Sequence, residues 1–436
     1  MSITIIPLGG FGEVGRNCVA VDVNGDIVIV DMGIHLERYI EATEDDFTQR
    51  KHTVRKLSAV GALPDLRALR KRIKDVKAIV CSHAHLDHVG AIPFIAKKFS
   101  CPIYATPFTA EVIAGLAADK NKEVNVIRQE TGKKIPITDN IFIELIHIAH
   151  STPQSAIVAI HTKEGIVLYA NDFKNDQSPP FEEPSDMKRI EQLKGKIKVL
   201  ILDSLYAPYD NHSRSESNAR EQVFDVVEEL EDKRAVVAST FGSHIYRLIT
   251  FCDTADKLNR KVVFIGRSLQ RYINAAKDAG IVDISKRGRI FSYAKQARRF
   301  LETLEDPTPY FLVTTGHQGE PNAILSRMTK GLFKFTDKDA VLFSCSTIPV
   351  PLNIQRRAIL ESDLTELGVA VIKDVHVSGH AHGKDEFELL KLLEPEFFFP
   401  SHGDEEMLLA ASKIARKAGL LKDQIILAEV GKKYTF

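Results

Sequence analysis

Three imidazoles and a carboxylate stand within six residues in Cys81-Ser82-His83-Ala84-His85-Leu86-Asp87-His88. They follow directly on the run Val76-Lys77-Ala78-Ile79-Val80, which reads as a buried strand. Imidazole nitrogens and carboxylate oxygens suit zinc or a similar first-row divalent ion. The spacing H-x-H-x-D-H offers more ligands than one tetrahedral ion takes from one loop. Two ions are therefore expected, His83 and His85 on one, Asp87 and His88 on the other. The alternative is a polar turn whose histidines only cap or hydrogen-bond, and so tight a cluster of four ligand-type residues argues against it.

The elements that must position this loop are legible around it. Residues 2–8 alternate as a strand, and Gly9-Gly10-Phe11-Gly12-Glu13-Val14-Gly15 follows. Gly10 to Gly15 spells G-x-G-x-x-G, but the dinucleotide fingerprint needs a helix next. Here two β-branched runs flank Asn24-Gly25, which makes a hairpin instead, with Asp31-Met32-Gly33 closing its second strand. The glycines are read as a tight turn that admits close backbone approach. Residues 35–75 are expected to carry loop and helix, including a helix over 63–77 with a solvated basic face (Arg67, Arg70, Lys71, Arg72, Lys74). Strands over 141–148, 156–161, 165–170 and 197–202 each end on or near a polar candidate: His150, Asp172 or Asp203-Ser204. Such a pattern describes a sandwich of sheets with its site along one rim.

The character changes near Tyr209. Ser213-Arg214-Ser215-Glu216 has capping-box spacing and opens a helix, after which strands and helices alternate as in a mostly parallel sheet. Beyond about Val369 the chain returns to His376-Val377-Ser378-Gly379-His380-Ala381-His382, a helix, and Ser401-His402-Gly403-Asp404. If His402 joins the metal loop, the α/β block is an insertion. Three segments are expected: residues 1–208, the insertion 209–372, and the closing part 373–436.

Composition sets the outer bounds. The 436 residues are 44% hydrophobic and 27% charged, as in a globular protein of two or three domains. Fifty-eight basic residues balance fifty-eight acidic ones, so a nucleic acid would be held by a local patch and not by overall charge. The five cysteines (Cys18, Cys81, Cys101, Cys252, Cys345) are scattered and form no C-x-x-C, which fits a reducing cytoplasm. No apolar run has spanning length, and no leader is read at the N-terminus, so neither export nor a membrane is expected.

The ordered set of motifs resembles the β-CASP nucleases of the metallo-β-lactamase superfamily, and among them the ribonuclease J branch of compact archaeal type. The matching residues are Asp31, the His83/His85/Asp87/His88 loop, His150, Asp172 in Ala170-Asn171-Asp172-Phe173-Lys174, then Asp203, His380 in Ser-Gly-His-Ala, and His402 in Ser-His-Gly-Asp. The resemblance implies an αββα metallo-β-lactamase sandwich with an inserted α/β β-CASP domain. With the ligand inventory, it also implies two Zn2+ ions (Mn2+ or Mg2+ as alternatives): His83, His85 and His150 on the first, Asp87, His88 and His402 on the second, Asp172 between them. Asp31 would orient a ligand histidine. His380 would protonate the leaving oxygen with Asp203 holding its ring, and Asp87 counts with them as catalytic. Ser378, Gly379 and His380, together with Thr240, Ser243 and His244, would recognise a 5′-phosphate on RNA.

The implied activity is 5′→3′ exoribonuclease action on single-stranded RNA with internal cutting as a second mode, in RNA processing and decay, by a cytoplasmic homodimer. Alternatives are an endonuclease of the cleavage and polyadenylation factor branch, a small-molecule hydrolase on the same metal loop, or a metal-dead RNA-binding subunit. The large insertion argues against a small substrate, and the full ligand set argues against a dead site. Leu205-Tyr206, His317 and Ile348-Pro349-Val350-Pro351 depart from the usual pattern, and they bear on the substrate groove and not on the metals. His147, His161, His376 and His382 are expected in structural or surface places.

Overall fold

A computed structural model describes residues 2–44 and 53–436. Part of the loop-and-helix expectation for 35–75, over residues 45–52, lies outside the described residues. The chain forms two units: the first holds the described residues up to Gln177, Glu183–Ser213 and Gly379–Phe436, the second Ser178–Glu182 and Arg214–Ser378.

In the first unit two sheets face each other. One runs in the order Tyr434–Thr435, Ile3–Gly9, Cys18–Val23, Asp26–Val30, Val76–Val80, Ile103–Ala105, Val126–Arg128. The other runs Phe397–Ser401, Ile197–Asp203, Gly165–Ala170, Ala156–Thr162, Ile141–His147, Lys134–Thr138. Alternation along single strands explains the layering. Val199 and Ile201 pack with Val21, Val28 and Val158 between the sheets. Leu200 and Leu202, pointing the other way, pack with Leu389, Leu390, Ala411 and Ala415 of the helices Gly383–Leu393 and Glu405–Ala418. A strand buried on both faces reads as an unbroken apolar run, as Val-Leu-Ile-Leu does here. The C-terminal strand Phe397–Ser401 pairs in parallel with Ile197–Asp203, so the tail belongs to the sandwich and the second unit interrupts it in sequence. The αββα class with an inserted α/β block is thus the observed one.

The second unit is built on a six-stranded, all-parallel sheet in the order Gly288–Phe291, Lys261–Ile265, Tyr310–Thr314, Val236–Ser239, Ala340–Phe343, Ala370–Ile372. Its limits differ from the 209–372 read in the sequence. His212 Nδ1 and Ser213 N lie 2.8 Å from the two carboxylate oxygens of Asp385, which ties residues up to 213 to the first unit. At the other end, the Val375 carbonyl accepts from Ser344 Oγ at 2.6 Å, which keeps that stretch in the second.

Three local readings change. Residues 63–77 are not one helix but two short 3-10 turns, Leu66–Leu69 and Ile73–Asp75, before the strand from Val76. Asp65 caps the first turn by accepting from Arg67 N, and Arg72 is drawn to Asp22 and Asp75. Ser215, not Ser213, caps the helix Glu216–Asp225. The helix Pro107–Ala118, which the sequence reading passes over, is buried around most of its circumference and so lacks an amphipathic period. Among the described residues no helix is long and apolar enough to cross a membrane.

Candidate metal centre

Most of the polar residues that converge at the sandwich rim follow a strand or close one, whereas Asn17 precedes the strand Cys18–Val23 and His380 stands before the helix Gly383–Leu393. Asp31 comes after Asp26–Val30, the His83 loop after Val76–Val80, and His150 after Ile141–His147. Asp172 comes after Gly165–Ala170, Asp203 ends Ile197–Asp203, and His402 follows Phe397–Ser401. Three of them take the left-handed backbone region that only glycine enters freely: Asp31 (φ 59°), Asp172 (φ 53°) and His402 (φ 55°). Such strain, about 1–3 kcal/mol each, persists where the surroundings dictate it and concentrates at functional sites. The segment 31–34 lies directly on the loop. Met32 N donates to the His88 carbonyl at 2.6 Å, and a Cβ on Gly33 would sit 1.5 Å from the Asp87 carbonyl oxygen.

Among the described residues three groups of ligand-type side chains share Asp172, and two of them are the sets expected to hold metal; the third joins it to Asp203, His380 and His402. In the first, Nδ1 of His85 is 3.1 Å from both His83 Nε2 and His150 Nε2, while Asp172 Oδ2 is 3.5 and 3.7 Å from His83 and His150. In the second, His88 Nε2 lies 3.4 Å from Asp87 Oδ2 and 3.2 Å from Asp172 Oδ1, and His402 Nε2 lies 3.9 and 3.7 Å from the same two atoms. Atoms about 2.0–2.2 Å from a tetrahedral zinc lie roughly 3.3–3.6 Å from one another. The separations here, 3.1–3.9 Å, bracket that spacing, and in each set all ligand atoms fall within 4.8 Å of one another. The chemistry of the donors agrees. Asp172 is 2% exposed, and its Oδ1 accepts no hydrogen bond. Burial first, then neighbouring rings, hold His83, His85 and His150 below the ordinary imidazole range, which leaves neutral rings with lone pairs. Burial opposes charge on Asp87 and Asp172, but His88 and His402 hold both below the usual carboxylate range. The residues fit a pair of divalent cations.

Neighbours fix the rings. Asp31 accepts from Ser82 N and Ser82 Oγ at 2.8 Å each and lies 2.6 Å from His88 Nδ1, which turns His88 Nε2 toward Asp172. His150 Nδ1 donates to the Gly379 carbonyl at 2.6 Å. Asn17, 1% exposed, sets its side-chain amide 3.1 Å from Asp87 Oδ2, 2.9 Å from His88 Nε2 and 2.8 Å from His402 Nδ1. Asn171 joins it from Tyr169 and Ser401. The sequence reading misses Asn17 and Asn171; the one available signal was a polar side chain wedged between a glycine turn or strand end and an apolar run.

Beside the cluster, His380 Nδ1 lies 2.7 Å from Asp203 Oδ2, and Asp203 Oδ1 accepts from Leu205 N at 2.9 Å. The other nitrogen, Nε2, is 3.8 Å from Asp172 Oδ2. Burial opposes the charged ring of His380, yet the carboxylates of Asp203 and Asp172 hold its pKa up at about 9. All nine of these residues, with Asp31, belong to the first unit. Gly379 belongs with them, whereas Ser378, Thr240, Ser243 and His244 belong to the second unit. There Thr240 Oγ1 donates to the Ser344 carbonyl at 2.9 Å, and His244 Nε2 is 3.3 Å from Glu216 Oε2. His161 pairs with Glu144 at 2.7 Å, and His147 Nε2 lies 2.9 Å from the Glu183 carbonyl.

The sequence matches the metallo-beta-lactamase superfamily over residues 11–238, the beta-CASP domain of ribonuclease J over 232–358, and the Zn-dependent metallo-hydrolase RNA specificity domain over 369–426. It is 40% identical to ribonuclease J of Pyrococcus abyssi over 427 residues, covering 96% of this chain and 94% of that one. It is 37% identical to ribonuclease J of Methanocaldococcus jannaschii, covering 96% and 95%. With ribonuclease J of Mycobacterium tuberculosis the identity is 30%, covering 98% of this chain and 74% of the other. A crystal structure of an Enterococcus faecalis protein of unknown function shares the fold at a TM-score of 0.67 and 15% identity, over the whole of both chains.

Proposed function

The chain belongs to the ribonuclease J family of the metallo-β-lactamase superfamily, and from that premise we propose that it is a metal-dependent ribonuclease acting on single-stranded RNA. In this reading it removes nucleotides in the 5′→3′ direction from 5′-monophosphate ends and also cuts internally. The observation that carries the reading is Asp172, whose two oxygens face two separate sets of ligand atoms while His380 stands at its flank.

His83, His85 and His150 would hold one Zn2+, Asp87, His88 and His402 the second, with Asp172 bridging; Mn2+ or Mg2+ are the alternatives. Two such ions supply electrophilic neutralisation of the charge that grows on a phosphoryl group during in-line displacement. The chain's own residues do the rest. Asp31 and Asn17 keep His88 and His402 turned inward, a service whose loss typically weakens a metal site. Hydrolysis adds water to phosphorus and breaks the bond to the 3′ oxygen. His380, protonated and held at Nδ1 by Asp203, delivers a proton from Nε2 to that departing oxygen. The products are a 3′-hydroxyl and a new 5′-phosphate, the group with which the next cycle starts.

Gly379 and His380 remain proposed contacts for the 5′-phosphate in the first unit; the other residues read from the sequence for that role, Ser378, Thr240, Ser243 and His244, belong to the second unit. A homodimer and a cytoplasmic setting are carried in the same proposal as what the family resemblance implies, and five unpaired cysteines agree with a reducing compartment. Digestion of end-labelled RNA tests it. A 5′-monophosphate strand should release mononucleotides faster than its 5′-hydroxyl twin, and intact RNA in the presence of metal would overturn the ribonuclease reading.

A further inference from the structure

A row of rings leads away from the metal centre. His380 stacks on His402 with centroids 5.6 Å apart and planes within 11°. Tyr206 lies 5.7 Å from the His380 ring, tilted by 39°. Tyr206 in turn stacks on His382 at 5.3 Å and 19°, and Tyr209 meets both, 5.4 Å from Tyr206 and 5.6 Å from His382. The row is pinned from behind. Asn211 Oδ1 lies 3.0 Å from His382 Nδ1, Tyr209 N donates to the Tyr206 carbonyl, and Gly383 N donates to the Tyr209 carbonyl at 2.9 Å. A Cβ on Gly383 would fall 2.8 Å from the Ala207 carbonyl oxygen and 3.0 Å from that of Tyr209, so this close approach requires glycine. Rings placed only to fill space should be covered, yet Tyr209, at the outer end, is 53% exposed.

Resting on the ribonuclease reading, we propose that Tyr209, backed by Tyr206 and His382, is the stacking platform for a nucleobase of the bound RNA. The base concerned adjoins the scissile phosphodiester on the side of His380, the group that faces the departing oxygen. Flat aromatic faces bind single-stranded nucleic acid through stacking that tolerates any base, because every base has a π-face. An enzyme that shortens RNA stepwise meets a new base beside its reacting atoms in each cycle, and a platform there needs that tolerance.

The test uses the full chain and cleavage-resistant oligoribonucleotides carrying a fluorescent adenine analogue, or an abasic riboside, beside the scissile linkage. The unaltered protein should quench the analogue and bind the base-bearing strand about tenfold tighter than the abasic one. Tyr209→Ala should lose the quenching and bind both strands equally, and Tyr209→Phe should recover the preference. Equal binding of the two strands by the unaltered protein overturns the platform, and that arm needs no variant to fold. A Tyr209→Ala protein that still quenches and discriminates overturns it as well. RNA cleaved normally with no base dependence would sink this inference alone. No RNA binding at all would sink the functional reading and the platform together.

Discussion

Arg247 in the second unit and His83 in the first are buried alike, 0% and 1% exposed, but their neighbours treat them differently. Arg247 Nε and Nη2 donate to both oxygens of Glu216 at 2.9 and 3.0 Å, and Nη1 donates to the carbonyl and the hydroxyl of Ser344. Every charge there is answered by the protein itself. Around His83 the opposite holds: ring nitrogens face ring nitrogens at 3.1 Å, and a buried carboxylate oxygen accepts no hydrogen bond. Unanswered buried polar atoms are expensive. A polar cluster that closes on itself stabilises a fold, and one left open toward its own centre is built for a guest.

The contrast can be broken by substitution. Asp172→Asn should lower RNA cleavage on the order of a thousandfold or more, since several kcal/mol of charge stabilisation depend on both ions. Metal analysis should show fewer ions per chain, and a variant that turns over normally without them would contradict the assignment. His380→Ala should keep both ions and slow single-turnover cleavage roughly 10²–10⁴-fold. An unchanged rate would remove it from the proton path.

The closed cluster should respond in the other currency. Arg247→Met strands the Glu216 carboxylate, and breaking a buried pair this way costs about 3–5 kcal/mol. Denaturant unfolding should show the loss, and metal content per folded chain should stay level. Milder still, Asn17→Ala or Asp31→Asn should weaken metal retention about 10–100-fold in a chelator competition, because these residues only aim the ligands.

Acid gives the smallest effect. Burial opposes the charge on Glu216, but Arg247 and His244 hold its carboxyl well below the usual range. A depressed folded value means stability that is present above the unfolded value, about pH 4.3, and lost as pH falls toward the folded one. Unfolding free energy should therefore decline with acid below that point, and Glu216→Gln should flatten the slope. An equal slope in both proteins would mean the pair is not the acid-sensitive element.

How much of this was legible from residues alone follows the same division. His83, His85, Asp87 and His88 sit in one loop, so spacing exposed them. His150, Asp172 and His402 were found because each stands at the end of an apolar strand, and family order joined them across the chain. Asn17 stands before an apolar strand and not after one, and a polar side chain between a glycine turn and an apolar run does not by itself say that its amide aims two ligands. The misread helix over 63–77 failed on tertiary grounds. Arg67 and Arg72 look like one basic face until Asp65, Asp22 and Asp75 claim them. The parallel sheet of the second unit is plain from alternating strands and helices, but its limits depend on hydrogen bonds between residues distant in sequence, Ser213 with Asp385 and Val375 with Ser344.

The most direct measurement is anomalous diffraction at the zinc absorption edge from crystals of the protein grown with zinc. Two peaks about 3.5–4 Å apart, one against each oxygen of Asp172, are expected. A single peak, or none, in a protein that still cleaves RNA would contradict the shared centre.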